Sequence, residues 1–198
     1  MLHNGYAKQV LCGRCVGEDV IDKGDTVLTQ LSEQTGPARG TVFIHACPPA
    51  LCPHVEWTIS GVLAAPISLN WAAQPVAPGQ FRTEYSWTGP RGSAAPMASA
   101  LRAWTMLRFE VTEEPTAGCD GERICHVPGR GIFRGIVGAN GDFLVGEQQL
   151  RHLLATASSR EDLDHGIQTL LGAAWDADLE QYRHAGEGSP GTWLHQVS

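Results

Sequence analysis

The chain has 198 residues, enough for one well-buried core and too few for two full domains, so one domain with additions is expected. Apolar residues make up 42% and charged residues 18%, a globular balance that confines any disorder to an end. With 14 basic against 21 acidic residues the net charge is -7, which opposes phosphate attraction and argues against nucleic acid as a partner; no basic tract offers a contact for anionic lipid.

Residues 1–38 mix Gly, Asp, Glu, Gln and Thr without a lasting apolar period, and read as a weakly ordered N-terminal extension. The start, MLHNGYAKQVLCGRC, lacks the basic and apolar regions of a signal peptide, and no stretch approaches the roughly 18 apolar residues that span a bilayer, so no membrane contact and a cytoplasmic location are expected. In that setting the six cysteines read as thiols or ligands and not as a disulfide framework.

From Thr41 the pattern sharpens. TVFIHA is a short β-branched run closed by Cys47-Pro48-Pro49, and it predicts a strand. Val55, Ile59, Val62 and Leu63 then recur at helical spacing until Pro66. ISLNW (67–71) and FRTEYSW (81–87) alternate apolar with polar residues and predict a hairpin. Ser93 is a candidate N-cap for a helix carrying Met97, Leu101 and Trp104, and Leu107, Phe109 and Val111 alternate in a fourth strand. The order βαββαβ over about residues 41–114 is that of a ferredoxin-like core, an antiparallel sheet with both helices on one face.

Beyond it, GCDGE is a loop, ERICHVP and GIFRGIVG are strands, and Asn140-Gly141 predicts a two-residue hairpin turn into Asp142-Phe143-Leu144-Val145. Leu150, Leu153 and Leu154 mark a helix; Ser159 and Asp162 form a capping-box variant ahead of a second one running through Leu163, Ile167, Leu170, Leu171 and Trp175. The expected fold is α+β: a ferredoxin-like half at 39–115, then a β-hairpin and helical extension at 116–198, all one domain. Most of the six tryptophans fall on apolar faces and are expected in the core.

Four segments in order, LCPHVEW at 51–57, LRFEVTEEP at 107–115, GCDGER at 118–123 and AGEGSPGTWLHQV at 185–197, resemble the actinobacterial domain-of-unknown-function family DUF3145, over about residues 39–198. The resemblance implies no catalytic residues. It implies a context of type II fatty-acid synthesis genes, and hence a fatty-acid synthesis or acyl-CoA carboxylase component as partner.

Chemistry concentrates in two places. Cys52, His54 and Glu56 put a thiol, an imidazole and a carboxylate at the start of the first helix, where the helix dipole and the histidine could hold a thiolate; the plainer reading is a small buried cysteine beside a polar first turn. Cys119, Asp120, Glu122 and Arg123 lie in or beside a glycine-flanked loop suited to a ligand or partner surface, as does His195 near the C-terminus, although an Asp-Gly surface turn needs no function. The Glu113-Glu114 pair reads as solvated.

Zinc is a second possibility for Cys52, His54, Cys119, Cys125 and His126, but in the expected sheet Cys52 and Cys119 fall at opposite ends of strands. Cys12 and Cys15 form only half of a zinc knuckle. With no phosphate-binding loop, dinucleotide fingerprint, HExxH or GxSxG, the expectation is a non-catalytic binding or regulatory module with no cofactor; the alternative is a thiol-dependent enzyme or metal-binding protein centred on Cys52 and His54.

Overall fold

The computed structural model describes residues 36–184. In chain order its elements are β1 (Ala38–Cys47), α1 (Cys52–Leu63), β2 (Ala72–Ala73), β3 (Phe81–Gly89), α2 (Ala94–Leu101), β4 (Arg108–Glu113), β5 (Gly121–Val127), β6 (Gly131–Val137), β7 (Phe143–Leu144), α3 (Glu147–Thr156), α4 (Arg160–Leu171) and α5 (Ala173–Arg183). The strands form one sheet in the order β2-β3-β1-β4-β5-β6-β7, every neighbouring pair antiparallel. The α+β class holds, and the sheet is larger than a simple ferredoxin-like core because β5, β6 and β7 continue it beyond β4.

Strand alternation assigns the two faces. Val42 and Ile44 of β1 align with Val111 and Phe109 of β4 and, with Ala38, face α1 and α2, which bury Val55, Ile59, Leu63, Met97, Ala98 and Leu101 against them. Each large aliphatic side chain so buried contributes about 1.5–3 kcal/mol, which makes this layer the main core. The opposite register carries Thr41, Phe43, His45, Glu110 and Thr112. On that face Cys125 and Val127 of β5 meet Leu179 of α5, with Phe133 and Trp175 alongside. Helices therefore cover both faces of the sheet.

Several local expectations change for identifiable reasons. Residues 67–71 alternate as a strand would, but they are tied to α1: Ile67 N–H donates to Ser60 Oγ at 3.1 Å, and Leu69 N–H to Glu56 Oε1 at 3.2 Å. With those donors taken, only Ala72 and Ala73 pair with β3. Ser93 does not cap α2, since its hydroxyl donates to the Pro90 carbonyl; Glu113 does so from β4, accepting Gly92 N–H at 2.7 Å and Ala94 N–H at 3.1 Å. Glu113 is thus structural and not merely solvated.

The turn at Asn140-Gly141 spans three residues, closed by Gly138 N–H to Asp142 O at 2.9 Å, with Gly141 at φ 87°. Ser159 caps α4 as expected, accepting Asp162 N–H at 3.0 Å. The helix after it breaks at Gly172, which turns left-handed at φ 75° where a Cβ would come within 2.5 Å of the Phe133 ring. Of the tryptophans, Trp87 is buried, Trp71, Trp104 and Trp175 are half-buried, and Trp57 is 68% exposed on α1. No helix among the described residues is long and apolar enough to cross a membrane. Residues 1–35, including Cys12 and Cys15, and residues 185–198, including His195, lie outside the described residues.

Candidate functional site

α5 crosses only part of its face of the sheet. Beside it, Thr41 and Phe43 of β1, Thr112 of β4 and Arg123 of β5 floor a cleft of about 440 Å³, walled by Val137 and Phe143 of β6 and β7. Glu84, which pairs across the sheet with Phe43, and Glu113, Glu114 and Glu122 also line it, but the register puts Glu113 and Glu122 with Val111 and Ile124 on the α1 and α2 face. Arg134 neutralises Glu122, and Glu113 is engaged in the α2 cap. Among the described residues no side chain pairs with the carboxylates of Glu84 or Glu114.

Arg123 connects the cleft to a buried ionic network. Its Nε and Nη2 donate to Glu110 Oε2 at 2.8 and 2.6 Å, Nη2 also reaches Asp176 of α5, and its guanidinium stands 5.7 Å from the centre of the Phe143 ring. Glu110 Oε1 meets His45 Nε2 and the Nε of Arg183, each at 2.8 Å. Arg183 returns to Asp176 Oδ1 at 2.7 Å, closing a ring that pins α5 to β1, β4 and β5.

Burial alone would push the Glu110 carboxyl up, but the His45 hydrogen bond and the Arg123 charge, with Arg183 behind them, hold it well below the usual carboxylate range. Within this network Glu110 and Asp176 face the guanidiniums of Arg123 and Arg183. Sequence reading singled out Arg123 but missed Glu110, Asp176 and Arg183, which lie far apart along the chain. The one available signal was a carboxylate at 110 between two core positions of an alternating strand.

The start of α1 is arranged differently from the predicted catalytic group. Glu56 Oε1 accepts from Leu69 N–H and from Trp71 Nε1 at 3.0 Å, so it is a structural acceptor. The His54 ring sits 5.2 Å from Trp57 and 6.2 Å from Trp104, in an aromatic group. The neighbour of Cys52 is Cys47, with the two Sγ atoms 3.9 Å apart. Burial pushes the Cys52 thiol up, as it does those of Cys47 and Cys125, which is the opposite of what an activated nucleophile needs.

The 118–123 group is likewise divided. Cys119 and Asp120 are exposed in the loop, with Arg91 Nη1 3.7 Å from the Cys119 thiol, while Glu122 and Arg123 belong to β5 and reach the cleft. Cys125 lies beside Glu110 at 3.5 Å, and His126 Nδ1 pairs with Leu107 O at 2.8 Å. Among the described residues no three His, Cys, Asp or Glu side chains converge as a metal site.

These features define an α+β protein with a wide antiparallel sheet and an acidic, aromatic-floored hollow on one face. Within that class, the chain belongs to the family described as "Protein of unknown function (DUF3145)", whose model matches residues 41–196. Neither a curated protein nor a solved structure matches the chain.

Proposed function

We propose that this protein is a non-catalytic binding module that takes a cationic, partly apolar group of a partner, such as an arginine or lysine side chain, into the cleft over Phe43. The observation that carries this reading is the cleft of about 440 Å³, which combines aromatic walls with carboxylates that lack partners among the described residues. The carboxylates of Glu84 and Glu114 beside the hollow attract an incoming cation, and the rings of Phe43 and Phe143 favour the alkyl stem or the face of a guanidinium. The same charge repels coenzyme A and acidic acyl carrier protein. A fatty-acid synthesis or acyl-CoA carboxylase component as partner would therefore engage through a basic surface of an enzyme.

The strand order β2-β3-β1-β4, with α1 and α2 on one face, supports a ferredoxin-like ancestry for the first half of the domain. On that reading β5, β6, β7 and α5 are additions that build the cleft.

The test is a titration of the isotope-labelled protein with a short peptide carrying Arg, Lys and Leu, and with a counterpart carrying Glu in place of the basic residues. Binding at the cleft should move the backbone signals of Phe43, Thr112 and Phe143 for the basic peptide only, and Glu84→Lys with Glu114→Lys should abolish the response. Movement of those signals by the acidic peptide, or by neither, would overturn the reading.

A further inference from the structure

Cys47 ends β1, at the point where its pairing with β3 slips register. The chain then turns through Pro48-Pro49-Ala50-Leu51, closed by Leu51 N–H to Pro48 O at 2.9 Å, and Cys52 opens α1. Two prolines fix φ through this turn, so the two thiols are held together by backbone geometry. Their Sγ atoms are 3.9 Å apart, and both also approach the Pro48 carbonyl, at 3.3 and 3.7 Å. Cys47 is fully buried, whereas Cys52 is half-buried. Solvent therefore touches the Cys52 residue and not Cys47.

We infer that Cys47 and Cys52 form a reversible oxidation site, a dithiol that an oxidant of the peroxide class converts to an intrachain disulfide. The Cys52 thiolate attacks one peroxide oxygen and the O–O bond breaks, giving a sulfenic acid and a hydroxide that takes up a proton. The Cys47 sulfur then attacks the Cys52 sulfur, the S–O bond breaks, and the hydroxyl leaves as water with the Cys47 proton. Two thiols lose two electrons and one peroxide is reduced to two waters. Closing from 3.9 Å to a bond of about 2.05 Å needs an approach of about 1.9 Å, which falls on two side chains at a strand end and a helix start. Disulfides of intracellular proteins are usually of this transient kind. The thiolate is the attacking form and burial pushes the Cys52 thiol up from its ordinary value, so oxidation should quicken as pH rises, by up to about tenfold per pH unit.

The full chain, first reduced, is exposed to hydrogen peroxide at several pH values, then alkylated under denaturing conditions and cut with trypsin. No Lys or Arg lies between Arg39 and Arg82, so Cys47 and Cys52 share one fragment, while Cys119 and Cys125 fall in two others. The expected product is the shared fragment lighter by two hydrogens, unalkylated and restored by dithiothreitol. Cys52→Ser should leave Cys47 alkylatable throughout. Cys47→Ser alters the core and could fail to fold, so the decision rests on the wild-type fragment and on Cys52→Ser. Higher oxides of Cys52 without the lighter fragment, full alkylation of both thiols while Cys119 is oxidised, or a disulfide from Cys52 to any other cysteine would each overturn the inference.

Discussion

Glu110 on β4 and Arg123 on β5 are joined through one carboxylate oxygen, with Nε at 2.8 Å and Nη2 at 2.6 Å, where both side chains are almost wholly excluded from water. Removing a carboxylate that holds His45, Arg123 and Arg183 together leaves buried donors uncompensated, a loss of about 3–5 kcal/mol. Glu110→Ala should lower the urea midpoint of unfolding accordingly.

The same carboxyl makes stability depend on acid. Its folded-state pKa lies below the ordinary value of 4.5, so the folded protein binds fewer protons than the unfolded chain in that range. The contribution is complete above about 4.5 and is lost as pH falls from there toward the folded-state value. Denaturant midpoints measured down through this window should drop in the wild type, and Glu110→Gln should flatten that slope.

Glu113 caps α2 from a neighbouring strand, through Gly92 and Ala94 N–H. Glu113→Ala should cost about 1 kcal/mol, or roughly 2–4 °C in Tm for a chain of this size. Hydrogen exchange at the Gly92 and Ala94 amides should accelerate in the variant; unchanged protection there would show that the cap contributes nothing.

At Gly40 a Cβ would stand 1.9 Å from the Thr112 carbonyl oxygen and 2.6 Å from Cζ2 of Trp87, and the backbone atom cannot rotate away. Gly40→Ala should therefore destabilise by about 3 kcal/mol or more, the upper range for overpacking. Gly36→Ala, where nothing lies within 4 Å, is the matched control and should be nearly neutral.

Trp57 is 68% exposed and Trp87 is 2% exposed. Thermal melts should place Trp57→Ser within about 0.5 kcal/mol of the wild type, while Trp87→Ala should cost about 3–5 kcal/mol. A large loss at Trp57 would mean that its aromatic contacts with His54 carry more of the fold than its exposure implies.

Local pattern and turn chemistry made much of the architecture legible. The alternation of Val42 and Ile44 against Phe43 decided which side of β1 faces the core, and that of Phe109 and Val111 did the same for β4, because a strand sends successive side chains to opposite faces. Ser159 announced the start of α4 through its hydroxyl. These signals sit within a few residues of the structure they specify. Arrangement in space decided the rest. The strand-like 67–71 segment lost its donors to Ser60 and Glu56 of α1, and Gly172 broke a continuous helical pattern by turning left-handed at a place where Phe133 leaves no room for a Cβ. The Glu110 ring joins residues 45, 110, 123, 176 and 183, and the cleft gathers Phe43, Glu84, Arg123 and Phe143 from four strands. Pairings across such separations leave no mark on local periodicity, since the free energy that selects them arises only when the sheet order brings the partners together in a place without water.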